Sequence, residues 1–318
     1  MDDEQKELSD FIKEAAFEVG FDACGIARVE NLSDDADFLK GWLNRGFQGE
    51  MNYLERNFDK RANPSLLVEH SKSVIVVLMN YFPEGKQNES APKIAKYAFS
   101  QTDYHLVMKA KLGELERRIE DRFGNECFSS NQQHSFVDSA PVLERRWAEK
   151  AGLGWIGKNK MLINPDLGSF CFIGILLMNK ESVYDNPMRN RCGNCRKCLD
   201  ACPANALSER DGLNANRCIS YQTIEKKGEI SDEMKPLLSG YQFGCDICND
   251  VCPWNKSRAK GHHHPELNVV NEIIRWNEEE WNALSKETYN HIFRNSSLKR
   301  AGFEKLKQNY DCVKSEED

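Results

Sequence analysis

At 318 residues, with 40% hydrophobic and 29% charged side chains, the chain has room for about two domains and a core able to enclose a sizeable cofactor. A net charge of −7 excludes a general affinity for nucleic-acid phosphates, which a cationic surface would have to neutralise, but leaves room for local basic stretches. Three such stretches occur, 189–197, 217–227 and 294–307, and solvated surface charge is the default account of each. The start, Met1-Asp-Asp-Glu-Gln-Lys, is acidic and polar, and neither an export signal nor a membrane-spanning apolar run is visible. A cytoplasmic chain with reduced thiols is therefore expected.

Residues 1–180 alternate amphipathic helices with short apolar strands. Leu8, Phe11, Ile12, Ala15, Ala16 and Val19 recur at helical spacing, and Gly20 ends that helix. The run 73–79 reads as a buried strand and 103–123 as a long helix. A strand through Phe136 and Val137 ends in Asp138 and Ser139, with Ser139 as an N-cap and Pro141 in the first turn of the next helix. Gly152, Gly154 and Gly157 match neither a dinucleotide fingerprint nor a Walker A loop. They are expected to let backbone approach a large flat ligand. The strand 170–178 is expected to pair with 161–163 across Asn164-Pro-Asp-Leu-Gly168. Cysteines dominate 181–260. Residues 261–318 read as helical and polar, with Ile273, Ile274, Trp276, Trp281 and Leu284 as the core face and an acidic tail, Ser315-Glu-Glu-Asp318.

Of the twelve cysteines, Cys24, Cys127, Cys171 and Cys312 are scattered singly and read as buried small hydrophobes. The other eight run Cys192-Gly-Asn-Cys195-Arg-Lys-Cys198-Leu-Asp-Ala-Cys202-Pro203, then Cys218, then Cys245-Asp-Ile-Cys248-Asn-Asp-Val-Cys252-Pro253. A cubane cluster needs four thiolates around one small object. In two-cluster ferredoxins a short loop supplies three, and the Cys before Pro crosses to the other cluster. By that rule Cys192, Cys195, Cys198 and Cys252 hold one [4Fe-4S] cluster. Cys202, Cys245 and Cys248 hold the second, with Cys218 as its fourth ligand. Paired zinc sites would need neither the third closely spaced Cys nor Cys-Pro. Two clusters alone make an electron carrier, yet about 180 residues precede them, so the electrons are expected to serve a site in that domain.

Val137-Asp-Ser-Ala-Pro-Val-Leu-Glu-Arg145, Gly152-Leu-Gly-Trp-Ile-Gly-Lys-Asn159, the two-cluster run and Arg217-Cys-Ile-Ser220-Tyr-Gln222-Thr-Ile-Glu225 together resemble the epoxyqueuosine reductase family, over residues 20–310. The resemblance implies an α+β fold. A nitroreductase-like, cobalamin-binding catalytic domain related to that of reductive dehalogenases would occupy 1–180, a ferredoxin-like two-[4Fe-4S] domain 181–260, and a helical C-terminal segment 261–318. It also implies reduction of epoxyqueuosine to queuosine at the wobble position of a tRNA with a GUN anticodon. Base-off cobalamin, an external donor such as a flavodoxin or ferredoxin, a monomeric state and no membrane partner go with it. Asp138 matches the family's proton donor. Asp138, Arg61, Tyr97, Ser139, Lys158, Asn159, Ser169, Ser220, Gln222 and Asp246 fall in or beside motifs that line the corrin or the substrate entrance. Many members continue into a HEAT-like repeat that helps hold tRNA. No such repeat is evident after Ser297-Leu-Lys-Arg300-Ala-Gly-Phe303.

Removing an epoxide oxygen to leave an alkene consumes two electrons and two protons. The chemistry read here is Co(I) attacking or reducing the epoxide while Asp138 protonates the departing oxygen, which a water-poor site would favour by keeping the carboxyl neutral. Asp103-Tyr-His105-Leu-Val-Met108 begins like the Asp-x-His-x-x-Gly of His-ligated cobalamin proteins but lacks the Gly, so His105 is assigned ordinary helix packing. His262, His263 and His264 read as an exposed loop. Trp42, Trp147, Trp155, Trp276 and Trp281 read as core, leaving only Trp254 as a candidate for base stacking. Lys226 and Lys227 are candidates for phosphate contact. Two rivals share the cysteines: a cobalamin-dependent reductive dehalogenase-like enzyme, whose twin-Arg export signal is not seen in residues 1–30, and a non-enzymatic iron–sulfur electron-transfer protein.

Overall fold

The computed structural model describes residues 3–129 and 132–314, so the acidic tail 315–318 and the first two residues lie outside the described residues. The chain forms two compact units, each assembled from separated segments. One comprises 1–43, 53–80 and 105–194, and the other 44–52, 81–104 and 195–318. Helices and strands are mixed in both. In chain order the strands are β1 (Ala23–Arg28), β2 (Ser73–Asn80), β3 (Lys93–Ile94), β4 (Ser135–Phe136), β5 (Trp155–Ile156), β6 (Leu162–Ile163), β7 (Cys171–Met178), β8 (Leu207–Ser208), β9 (Gly212–Leu213) and β10 (Tyr241–Phe243). Among the described residues no helix is long and apolar enough to cross a membrane.

The first unit is built on an antiparallel sheet of order β1-β2-β7-β4. All eight residues of β2 are buried, which explains the unbroken apolar run Val-Ile-Val-Val-Leu-Met at 74–79: both faces of this inner strand are covered. On one face Val74, Val76 and Leu78 share a core with Trp147, Ala148, Leu153, Ile175 and Leu177. On the other, helix α4 (Tyr104–Phe123) lies so close to the sheet that a Cβ on Gly174 would sit 2.9 Å from Met108 and 3.1 Å from Leu112. Helix α1 (Asp3–Val19) buries Leu8, Ile12, Ala15 and Ala16, as their spacing predicts. It ends in a Schellman motif, with Gly20 at φ 97°, Phe21 N–H donating to Ala16 O and Gly20 N–H to Phe17 O.

One expected pairing is replaced. β6 pairs with β5, not with β7, through Trp155↔Ile163 and Ile156↔Leu162. The Asn164 to Gly168 turn does form, closed by reciprocal backbone bonds of 2.9 and 3.0 Å. Asn164 Oδ1 also accepts from the N–H groups of Asp166 and Leu167. The ladder stops there, with Leu162 and Ile163 paired instead to Ile156 and Trp155 of β5. The glycines nearby admit this local packing. A Cβ on Gly154 would lie 2.2 Å from Ile163 O, and one on Gly152 2.8 Å from Asn186 O. On Gly157 it would lie 2.5 Å from Ile163 Cδ1.

In the second unit, Ile273, Trp281 and Leu284 are buried as expected, with Ile274 and Trp276 packed beside them. Their core is shared with Ala91, Ile94, Ala98 and Phe99 from far upstream. The last helix in this core (Phe303–Lys314) is tied in by Asn309, fully buried, whose amide donates to Thr223 O and Gln242 O. The three histidines are not a freely exposed loop. His264 is buried, its ring lies 4.4 Å from that of His263, and His262 N–H donates to Phe82 O.

Candidate active site and cluster loops

In the first unit the chain leaves β4 through two consecutive three-residue turns. Ser139 N–H donates to Val137 O (2.6 Å) around Asp138, and Val142 N–H to Ala140 O (2.8 Å) around Pro141. These bonds commit the backbone before a helix can start. Helix α5 accordingly begins at Glu144 and runs to Lys150, with Leu143 at its N-cap position and no side-chain cap. The expectation of Ser139 as N-cap and Pro141 in the first turn is thereby corrected. The residue before a proline is pushed out of helical geometry, and Ser139 Oγ turns back to Val137 O at 3.3 Å.

Asp138 is half exposed at the tip of this loop, with φ 57°. Its carboxylate Oδ2 lies 3.4 Å from His105 Nε2, and its N–H donates to Glu144 Oε1 at 2.5 Å. His105, near the start of α4, is thus a neighbour of the candidate acid, beyond the packing role the sequence assigned it. Glu144 is pushed up to about 8, first by burial and then by the negative charge of Asp138. Arg145 donates to Lys160 O, so adjacent residues of α5 hold both the Asp138 loop and the β5–β6 loop. That second loop carries Lys158, partly buried, and Asn159, buried, whose Oδ1 accepts from Met161 N–H. Ser169 is buried at the entrance to β7. Arg61 is buried in the short helix Phe58–Ala62 and donates to Tyr53 O, while its Nε has no hydrogen-bond partner. Sequence reasoning missed Glu144 and Arg145 as site residues. Their position at the end of the Val-Asp-Ser-Ala-Pro-Val-Leu-Glu-Arg motif was the available signal.

In the second unit, the cysteine loops reveal a repeat. The stretches Cys195-x2-Cys198-x3-Cys202-Pro and Cys245-x2-Cys248-x3-Cys252-Pro have the same spacing and fold alike. Each makes a four-residue helix, Lys197–Asp200 or Ile247–Asp250. The preceding residues Arg196 (φ −124°, ψ 5°) and Asp246 (φ −114°, ψ 4°) match, as do the C-caps Ala201 (φ −83°, ψ −11°) and Val251 (φ −82°, ψ −10°). The odd members are Cys192, ahead of the first loop, and Cys218, which occupies the N-cap of the helix Ile219–Ile224.

Burial raises the Cys218, Cys245 and Cys248 thiols, Cys245 to about 12. The next contributions include their own neighbours: Cys202 acts on all three, Cys218 on Cys245 and Cys248, and Cys245 on Cys248. Cys202, Cys218, Cys245 and Cys248, all partly buried, sit close enough together that a cationic core would offset their combined thiolate charge, so this donor set fits the iron of a [4Fe-4S] cluster.

The other candidates of this unit frame the same loop. Gln222 N–H donates to Cys218 O at 3.0 Å, its amide donates to Asn216 O, and its buried Oε1 has no partner. Ser220, two residues earlier on the same helix, is partly buried. Asp246 is buried and occupied: Oδ2 accepts Lys96 N–H at 2.7 Å and faces Lys96 Nζ at 3.6 Å. That bond pins the turn carrying Tyr97, whose ring packs edge-on against Tyr104 and beside Phe243.

Residues 61–139 match a family model described as epoxyqueuosine reductase QueG, DUF1730, and residues 191–255 match a 4Fe-4S double cluster binding domain. The second match places a 4Fe-4S double-cluster domain in the chain. The epoxyqueuosine reductase of Cellulophaga algicola is 41% identical over 96% of this chain and 98% of its own length. That of Escherichia coli is 38% identical over 86% of this chain and 74% of its own. A crystal structure of epoxyqueuosine reductase with an epoxyqueuosine-modified tRNA-Tyr stem loop superposes with a TM-score of 0.84 at 30% identity, over 96% of this chain and 80% of that one. A Bacillus subtilis epoxyqueuosine reductase, described with its catalytic Asp loop swung out of the active site, matches with a TM-score of 0.82 at 28% identity, over 96% of this chain and 81% of that one. The eight spaced cysteines, the Asp138 turn and these relatives agree: the chain belongs to the epoxyqueuosine reductase family.

Proposed function

We propose that this chain reduces epoxyqueuosine to queuosine in tRNA, consuming two electrons and two protons and releasing water. Of the three readings of the sequence, this is the one that family membership supports. The observation that carries it is Asp138, a half-exposed carboxyl held at the tip of a tight turn beside His105. Its role is to give a proton to the oxygen that leaves carbon. Poised carboxyl acids contribute about 10²–10⁴ in rate.

Cobalamin, in reduced base-off form, would supply the strong nucleophile and reductant that an epoxide carbon–oxygen bond requires. Arg61 Nε and Gln222 Oε1 are buried polar atoms without protein partners, the kind of group a corrin's amide rim satisfies. Arg61, Tyr97, Ser139, Lys158, Asn159, Ser169, Ser220 and Gln222 are the proposed contacts. Asp246 supports them through Lys96. Cys192, Cys195, Cys198 and Cys252 would hold one [4Fe-4S] cluster, and Cys202, Cys218, Cys245 and Cys248 the other. Cys218 and Gln222 share one helical turn, so we assign the cluster held by Cys218 as the immediate electron source. Lys227, exposed after that helix, and Lys226 are proposed phosphate contacts for tRNA, and an external flavodoxin or ferredoxin is the proposed donor.

Anaerobic reconstitution, followed by iron and corrin analysis and by mass spectrometry of the tRNA nucleosides, tests the reading. Conversion of epoxyqueuosine to queuosine is expected. Asp138→Asn is expected to lower turnover about 10²–10⁴-fold with cofactor contents unchanged. Undiminished turnover in that variant would remove Asp138 from the chemistry. About eight irons per chain without corrin uptake would sink the cobalamin assignment.

A further inference from the structure

Asp138 is not glycine, yet it stands at φ 57° in a region that L-residues other than Asn and Asp seldom enter. With the Ser139 N–H to Val137 O bond closing a three-residue ring, this is the strained, positive-φ kind of γ-turn. Aspartate tolerates this geometry better than most residues, but its neighbours add little: Val137 on one side is β-branched, and Ser139 on the other is exposed. The bond that holds the turn from outside comes from Glu144. Its Oε1 accepts the Asp138 N–H at 2.5 Å from the first residue of α5. Helix α5 is itself rigidly placed, since Trp147 and Ala148 are fully buried in the sheet core.

We propose that Glu144 is the positioning residue of the active site, a latch whose carboxyl oxygen holds the strained turn so that the Asp138 carboxyl stays beside His105. Without that acceptor the turn relaxes toward negative φ, and the Asp138 side chain swings away from its place. The latch needs an oxygen and not a charge. Burial and the Asp138 charge raise Glu144 to about 8, and a neutral carboxyl accepts through its carbonyl oxygen as a Gln side chain does. The groups facing it are Asp138, Arg145 and His105. The consequence for turnover rests on Asp138 being the proton donor, whereas the latch rests on geometry alone.

Two variants of nearly equal volume separate the acceptor from packing. Glu144→Met keeps the shape and removes the oxygen, while Glu144→Gln keeps both. Amide hydrogen exchange of the segment 136–143 in the reconstituted enzyme reads the latch directly, and turnover reads its consequence. Glu144→Met is expected to speed exchange at Asp138 about tenfold, the ratio given by losing one hydrogen bond of ordinary net strength. Its kcat is expected to fall by about tenfold or more with KM for tRNA held within about threefold. Glu144→Gln restores both readings to within about threefold of the parent. Unchanged exchange in Glu144→Met, or a Gln variant that exchanges as fast as the Met variant, overturns the latch. Faster exchange with full turnover leaves the latch standing and counts instead against Asp138 as the proton donor.

Discussion

His105 Nε2 lies 3.4 Å from Asp138 Oδ2, so the start of a 20-residue helix delivers an imidazole to the carboxyl at the tip of the β4–α5 loop. A carboxyl proposed to give up a proton in each turnover must regain one. His105 is a titratable group within reach of Asp138, and a long helix packed on the sheet fixes its position.

His105→Phe is therefore expected to lower kcat by about one to two orders of magnitude, at the low end of a general acid–base contribution. KM for the tRNA should hold, because the substitution leaves the entrance loops alone. Steady-state kinetics decides it: a raised KM with intact kcat would assign His105 to substrate binding.

The proposed ligand set Cys202, Cys218, Cys245 and Cys248 predicts that Cys218→Ser strips one cluster and spares the other. Iron content should fall from about eight to about four per chain. Turnover should vanish even though the remaining cluster still shows its EPR signal on reduction. Retention of all the iron would mean that another residue replaces Cys218 as ligand.

Glu144 carries a pH signature. Burial, then the Asp138 charge, raises it to about 8 from an ordinary 4.5, so between these values the folded chain holds a proton that the unfolded chain releases. The associated stability is fully present below about pH 4.5 and is lost as pH rises through 8. Glu144→Gln does not titrate. Urea denaturation of the two proteins from pH 5 to 8.5 should show the variant gaining on the parent as pH increases. A difference independent of pH would mean that Glu144 is charged throughout.

Gly154→Ala is expected to destabilise the fold by about 2 kcal/mol or more, the range for overpacking against immovable atoms. The added Cβ would lie 2.2 Å from Ile163 O, backbone that the β5–β6 pairing holds in place. Thermal unfolding measures it, and an unchanged midpoint would show that the hairpin yields.

Much of this was legible in the chain because the signals are local. Helix α1 and its Gly20 stop, the buried run of β2 and the cysteine spacings each depend on neighbours a few residues away. The β6 partner was not legible. A sound turn at Asn164 to Gly168 implies a hairpin with β7, and only the folded chain shows that β6 pairs instead with β5. Nor did spacing show that Gly152 and Gly154 admit the backbone of Asn186 and Ile163.

The sequence by itself determined the chemistry available: eight thiolates at cluster spacing, Asp138 in its motif, and enough chain ahead of them to build a reducing site. It also pointed to the family, since a motif is a set of residue types at set intervals. Tertiary structure alone decided how Asp138 is held. Its left-handed turn, the Glu144 oxygen on its N–H and His105 beside its carboxyl join three segments that no periodicity connects. It also showed that the 195–202 and 245–252 loops, alike in spacing, fold alike as well. The physical reason is the same in both cases. Spacing along the chain fixes which groups exist, whereas the hydrogen bonds and packing that orient them come from residues distant in sequence and cost nothing to misread until the chain is folded.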